Sequence, residues 1–265
     1  MSTLKLGKRP ATYDKRDLQY AALRPSIPLP SVPAVFGHGN DFAGEGWGML
    51  GNGPDNSVFE GFQGCGDCAW AGPAHETMEL CKDAGRAVPS FTGKIIVEQY
   101  SEYCGYDPQT GANDNGSSIR EVLQWRKEKG LRDANGGVHK VGVYVALEVG
   151  NLQHVVEAAY LFECVGMGLE VPESAEQQFG EGAPWAVVPG AEIVGGHYVP
   201  IVGRPQADYL AVVTWGKRQL VTDEFYKKYT DETWAYVSGE RINAVTGKSY
   251  EHFGAAELEE YLSAL

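Results

Sequence analysis

Two cysteines stand three residues apart in the glycine-rich stretch GFQGCGDCAWAG, residues 61–72. Three chemistries fit such a stretch: a redox or metal-binding pair, half of a disulfide, or a nucleophilic thiol opening a helix. As a zinc half-site, Cys65 and Cys68 lack a second Cys/His pair at suitable spacing. As a redox motif they lack a βαβ setting. The pattern turns helical from Asp67, which puts Cys68 where aligned peptide dipoles favour a thiolate. A thiolate nucleophile needs a base. The second half offers His197 in GGHYVPIVG, behind Gly195-Gly196, whose missing side chains allow close backbone approach. VVTWG, residues 212–216, ends another apolar run. Taken singly, each of these two stretches is an ordinary strand ending. His75 shares a helical face with Cys68 but lies about 10 Å along the axis, too far for direct proton transfer.

The elements that must position these groups fall into two halves. Pro73 sits beyond the first turn of the Cys68 helix and predicts a lost hydrogen bond or a kink. Asn115-Gly116-Ser117 reads as a turn, and Ser118 with Glu121 forms a capping box for a helix that stops at Gly130. A third helix starts near Asn151 and runs through Tyr160. Then come short β-rich segments at 162–171, 185–188, 198–202, 209–215 and 234–237, separated by Gly and Pro. Helices first and strands later, without βαβ alternation, predict an α+β chain. The expected division is an N-terminal extension and irregular loop over 1–60, a mainly helical lobe over 61–150, a mainly β lobe over 151–238, and a tail over 239–265. The tail ends AAELEEYLSAL, an amphipathic helix pattern that predicts a docking face for a protein partner.

Composition narrows the function. A formal charge of −13 argues against nucleic acid and anionic membranes as partners. No apolar run is long enough to span a bilayer. The N-terminus lacks the apolar core of a secretory signal, so a cytoplasmic location is expected, or a virion if a phage encodes the chain. Five cysteines, an odd count, favour reduced thiols or one special thiol over a disulfide framework. Cys81, Cys104 and Cys164 read as small buried hydrophobes. Trp70, Trp185, Trp215 and Trp234 read first as core residues.

Taken together, these stretches resemble the papain family of cysteine peptidases. The family's nucleophile motif appears as Gln63-Gly64-Cys65-Gly66-Asp67-Cys68-Ala69-Trp70-Ala71, its base motif as Gly196-His197-Tyr198-Val199, and its orienting motif as Val213-Thr214-Trp215-Gly216. The Cys68-to-His197 spacing falls at the short end of the about 130–150 residues usual there. Tyr13-Asp14-Lys15-Arg16-Asp17 looks like the opening of a mature enzyme, and Asn115-Gly116-Ser117 like the glycine loop lining the substrate cleft with Gly66, Asp67 and Gly196. The Gly-Asp-Cys form is more similar to bacterial and phage members than to plant or lysosomal ones. The resemblance implies a helical lobe and an antiparallel β-rich lobe with the cleft between them.

It also implies a thiol hydrolase cleaving peptide or amide bonds through a thioester, with Cys68 as nucleophile, His197 as base and Gln63 holding the oxyanion. No metal or cofactor is implied; the partner is a peptide or protein substrate. Cys65 aligns with the family's disulfide cysteine, but its usual partner position, near 115–118, holds none. The chain departs from the family in four ways. Gln63 is one residue closer to the nucleophile. Asp67 replaces a serine; it can cap the helix, but its charge opposes a thiolate. Val213 replaces the asparagine that fixes the imidazole tautomer, so a backbone or water contact is expected to serve instead. No inhibitory prosegment is expected ahead of the mature-like start. Two other readings use the same residues: a catalytically impaired protein with a structural or binding role, such as a phage component, and a thiol acyltransferase.

Overall fold

The computed structural model describes residues 4–26, 31–37, 48–53, 64–242 and 245–248. After a short helix α1, Tyr20–Leu23, and a two-residue strand β1, Phe36–Gly37, the first long element is helix α2, Cys68–Asp83. Helices α3, Gly93–Cys104, and α4, Ile119–Glu128, follow. The remaining elements are β2, Leu131–Arg132; β3, Val138–His139; β4, Val141–Ala146; α5, Leu152–Phe162; β5, Val165–Pro172; α6, Glu173–Glu181; β6, Ile193–Gln206; β7, Tyr209–Thr214; β8, Lys217–Thr222; α7, Asp223–Tyr229; and β9, Thr230–Ser238.

The local chemistry explains most of these boundaries. Ser118 accepts from the Glu121 amide at the head of α4, Asn151 from the His154 amide before α5, and Thr222 from the Phe225 amide before α7. Gly105 ends α3 in the left-handed conformation. Pro73 does not break α2; the Thr77 hydroxyl donates to the Pro73 carbonyl at 2.7 Å within an unbroken helix. Asp67 stands at the N-cap of α2, yet its side chain makes no capping bond, contrary to expectation. The carboxyl is fully buried instead, and burial, then the nearby Asp114, push its pKa well up.

Strands β4-β9-β5-β6-β7-β8 form one antiparallel sheet in that order, and β1 adds to β6. One apolar cluster joins α2, α3 and α4 to Tyr198, Val202, Ala211 and Val213; a second joins α5 and α7 to Val199, Ile201, Leu210 and Val212. The alternation along β6 and β7 is therefore the reason that one sheet serves two cores. The fold is α+β and papain-like. Residues 185–188, expected as a strand, contribute only one bridge, Trp185 to Val221, because Pro184 and Pro189 flank them. Phe162 ends α5 rather than starting β5. Most of the C-terminal tail lies outside the described residues.

Every residue of α2 from Cys68 to Cys81 is buried, including Glu76 and Glu79. Glu76 Oε1 accepts from Arg126 Nη2 of α4 at 2.7 Å, and Glu76 Oε2 accepts the hydroxyl of Tyr236 in β9. Burial alone would raise the Glu76 pKa; the Arg126 charge opposes this. Removing one member of a buried pair costs about 3–5 kcal/mol, because the other charge is stranded. Arg126→Met should lower unfolding stability by that amount in urea titrations, and Glu76→Leu/Arg126→Met should restore most of it.

Candidate active site

Cys68 is the first residue of α2, buried to 1% exposure at the base of the cleft. Loop residues fix the turn ahead of it. The Cys65 amide donates to the Gly51 carbonyl at 2.8 Å, and Asn52 Nδ2 donates to the Cys65 carbonyl at 3.2 Å. The Gly66 amide donates to Asp114 Oδ1 at 2.9 Å; Tyr100 donates to the same oxygen and accepts from the Gly116 amide. Trp70 Nε1 donates to Ser117 Oγ at 2.9 Å. The Gly66 turn and the Asn115-Gly116-Ser117 loop are thus brought together. Gln63 lies outside the described residues.

His197 sits in β6, 1% exposed, and lines the same cavity of about 10 Å³ as Cys68, with Met49, Asn52, Val213 and Thr214. That volume holds about one water at most. No hydrogen bond joins the thiol to the imidazole, and His197 Nδ1 is buried without a partner. The other nitrogen, Nε2, lies 2.8 Å from Thr214 Oγ1. This corrects the expectation of a backbone or water contact: the hydroxyl beside Val213 takes the orienting position, while Val213 packs in the α2-facing core. Fixing one ring nitrogen sets which atom remains free for chemistry.

Trp215 covers the pair. Its ring stacks on His197 at 4.6 Å and 17°, backed by Phe179 and Trp185. To place the ring there, Trp215 adopts a φ of 44° and Gly216 one of 73°, in the tight turn between β7 and β8. Such a backbone is rare for a bulky side chain and costs about 1–3 kcal/mol. His75, by contrast, turns away to Gly48, with its Nε2 2.8 Å from that carbonyl.

The cleft is not open. Residues 5–9 cross it as a strap. Lys5 offers its carbonyl to Asn52 Nδ2 at 3.2 Å and to Trp215 Nε1 at 3.5 Å. The Ser117 amide donates to the Gly7 carbonyl at 2.7 Å, the Lys8 amide to the Gly196 carbonyl at 3.0 Å, and the Arg9 amide to the Ser117 carbonyl at 2.9 Å. A side chain at Gly116 or Gly196 would collide with Gly7 or Lys8 backbone, and one at Gly66 would press against Gly7. No segment was expected to lie across the cleft ahead of the mature-like start, yet residues 5–9, ahead of Tyr13, fill it, held by main-chain bonds that carry little sequence signature.

This arrangement keeps both groups neutral. Burial pushes the Cys68 thiol up to about 12, although the Tyr198 and Gly7 amides pull the other way. Burial pulls the His197 imidazole down to about 3. All five cysteines are free thiols. Among the described residues no cluster of three or more His, Cys, Asp or Glu could hold a metal, and no helix is long and apolar enough to cross a membrane.

No protein-family model matches the chain, and no curated protein does. Solved structures do. Xylellain, a cysteine protease from Xylella fastidiosa, is 12% identical over 89% of this chain and 97% of that one, with a TM-score of 0.58. Procathepsin B S9 from Trypanosoma congolense gives 10% identity, 90% and 87% coverage and 0.53. The Carica candamarcensis cysteine protease CMS1MS2, solved with E-64, gives 14%, 78% and 99%, and 0.51. At these identities the likeness establishes the papain-like fold.

The buried imidazole has a consequence for acid stability. Between pH 6.5 and about 3 the unfolded chain protonates His197 while the folded chain resists it, so this contribution to stability is complete above 6.5 and lost as pH falls. The loss is about 1.4 kcal/mol per pH unit. His197→Gln should therefore flatten the acid limb of stability against pH, measured by denaturant titration, relative to the unaltered chain.

Proposed function

We propose that the chain is a papain-like thiol peptidase, held latent by its own N-terminal strap. The observation that carries this reading is that Cys68, heading the buried helix, and His197, anchored by Thr214, open on one cavity beneath a peptide seated in the cleft. Displacement of the strap readmits water and substrate. His197 Nδ1, the nitrogen left free, takes the proton from Cys68 Sγ. The thiolate attacks the scissile carbonyl carbon. The Cys68 amide and the Gln63 side chain hold the resulting oxyanion. The tetrahedral species collapses to a thioester as the imidazolium gives its proton to the leaving amine. Water, deprotonated by His197, then hydrolyses the thioester; an amine acceptor in its place would make the same site an acyltransferase. The Gly66-Asp67-Cys68 form supports a bacterial or phage-type variant.

A catalytically impaired binding protein is the rival reading, favoured by the buried thiol and the absent thiol–imidazole hydrogen bond. Iodoacetamide labelling at neutral pH separates them, with half-exposed Cys104 as internal background. Lys8→Ala, which loosens the strap, should raise Cys68 labelling well above Cys104 and above the unaltered chain. Labelling of Cys68 that never exceeds Cys104 in Lys8→Ala would sink the peptidase reading. In the activated form, Cys68→Ala and His197→Ala should abolish peptide hydrolysis. Thr214→Val should lower kcat by about tenfold, the worth of one oriented hydrogen bond.

The free Cys65, whose thiol is buried and pushed up by burial and Asp67, supports residence in a reducing compartment. Titration of the denatured protein, purified without reductant, should count five sulfhydryls.

A further inference from the structure

The strap carries Lys8 into the wall of the cleft, and the place it enters is a cup with an acidic floor. The Lys8 side chain is 1% exposed. Its Nζ lies 2.6 Å from Asp231 Oδ2, 3.4 Å from Glu232 Oε1 and 2.9 Å from the Arg9 carbonyl. Ile119, at the head of α4, and Gly168, in β5, form the sides. A methyl group on Gly168 would overlap the Lys8 stem and stand 2.6 Å from Glu232 and 2.7 Å from Ile119. The cup therefore has its depth because residue 168 is glycine. Glu232 is buried to 2%, and Trp234 Nε1 donates to its Oε2 at 2.8 Å, which leaves Oε1 aimed at the ammonium.

The cup's place along the cleft is set by the strap itself. Gly7 lies against Gly66 and Cys68, and Lys8 is the next residue. At the other end, Lys5 reaches Trp215, whose ring lies on His197. A leaving amine must receive its proton from that imidazole, so the Trp215 end belongs to the leaving group and the Ser117 end to the acyl part. The cup lies toward Ser117, one residue removed from the backbone that faces the thiol.

We infer that, in the peptidase reading on which this rests, the cup formed by Ile119, Gly168, Asp231 and Glu232 selects a lysine or arginine side chain in the substrate, one residue before the one bearing the scissile carbonyl. Lys8 holds this place in the latent form. An apolar side chain there would leave the Glu232 carboxylate buried without a countercharge, and an acidic one would add like charge. A long aliphatic stem ending in a cation satisfies both the apolar sides and the floor.

The test uses the full-length Lys8→Ala protein, in which the cup is vacated, and fluorogenic peptidyl amides that differ only at that residue: Lys, Arg, norleucine or Glu. The kcat/KM for Lys and Arg should exceed that for norleucine at least tenfold, and Lys8→Ala/Glu232→Gln should abolish the difference. Cleavage without a basic preference, or a preference that survives Glu232→Gln, overturns the cup and leaves the peptidase reading standing. If no peptide is cleaved, binding decides. n-Butylammonium, against sodium at equal ionic strength, should raise the Tm of Lys8→Ala saturably and leave the double variant unmoved. That result upholds the cup as a cation site while the peptidase reading falls; its absence overturns the cup. Should Lys8→Ala fail to fold, the Arg-to-norleucine ratio is compared between the unaltered chain and Glu232→Gln, and an unchanged ratio overturns the proposal.

Discussion

The structure depends on burying a helix that is not wholly apolar. Helix α2 lies between the sheet and the other helices of its lobe, with every side chain from 68 to 81 out of solvent. That position fixes Cys68 at the cleft floor, but it also forces Glu76 into the interior. Arg126 and Tyr236 answer Glu76, and in doing so tie α2 to α4 and to strand β9. Burial works against the Arg126 charge, yet the adjacent Glu76 outweighs it and holds the guanidinium ionised. The pair that makes α2 tolerable in the core is thus also the tie between the two layers.

The same burial decides the resting chemistry. A thiol at a helix head ordinarily gains acidity from the dipole, and an imidazole at a cleft mouth ordinarily titrates near neutrality. Here desolvation outweighs both effects, because the strap, Trp215 and the α2-facing core exclude water from a cavity of about 10 Å³. Asp67, buried next to Cys68, works in the same direction. Cys68 and His197 thus face one cavity with burial favouring the neutral form of each.

The sequence showed the helices with side-chain caps best. Ser118 with Glu121 and the start near Asn151 announced α4 and α5, and Cys68 opens its helix where the pattern turned. Helix α3 carried a comparable signal in Thr92, whose hydroxyl oxygen accepts from the Ile95 amide, but its apolar spacing is less regular. Strands β4 and β8 went unread because glycine and charged residues interrupt their alternation, while pairing along the sheet determines them. Thr214 was legible only as part of the Val213-Thr214-Trp215 stretch, because motif alignment put Val213 at the asparagine position and only strand geometry reveals which of two neighbours faces the imidazole. The strap left no trace at all: its ladder uses main-chain atoms, and its requirements fall on glycines far away in sequence.

The direction of that strap matters. Lys8 pairs with Ser117 in parallel register. As a covalently tethered ligand, the strap meets the cleft at an effective concentration that short flexible connections place in the millimolar range. Dilution cannot dissociate it, so the fraction of closed molecules is independent of how much protein is present. A free peptide competes on unequal terms, since the ratio of its concentration to its own dissociation constant must exceed the strap's intramolecular closing constant. Occupancy by a competing peptide would still rise hyperbolically with its concentration, but with the half-saturation point raised by the closing equilibrium of the strap, so loosening the strap and supplying more peptide act on the same balance.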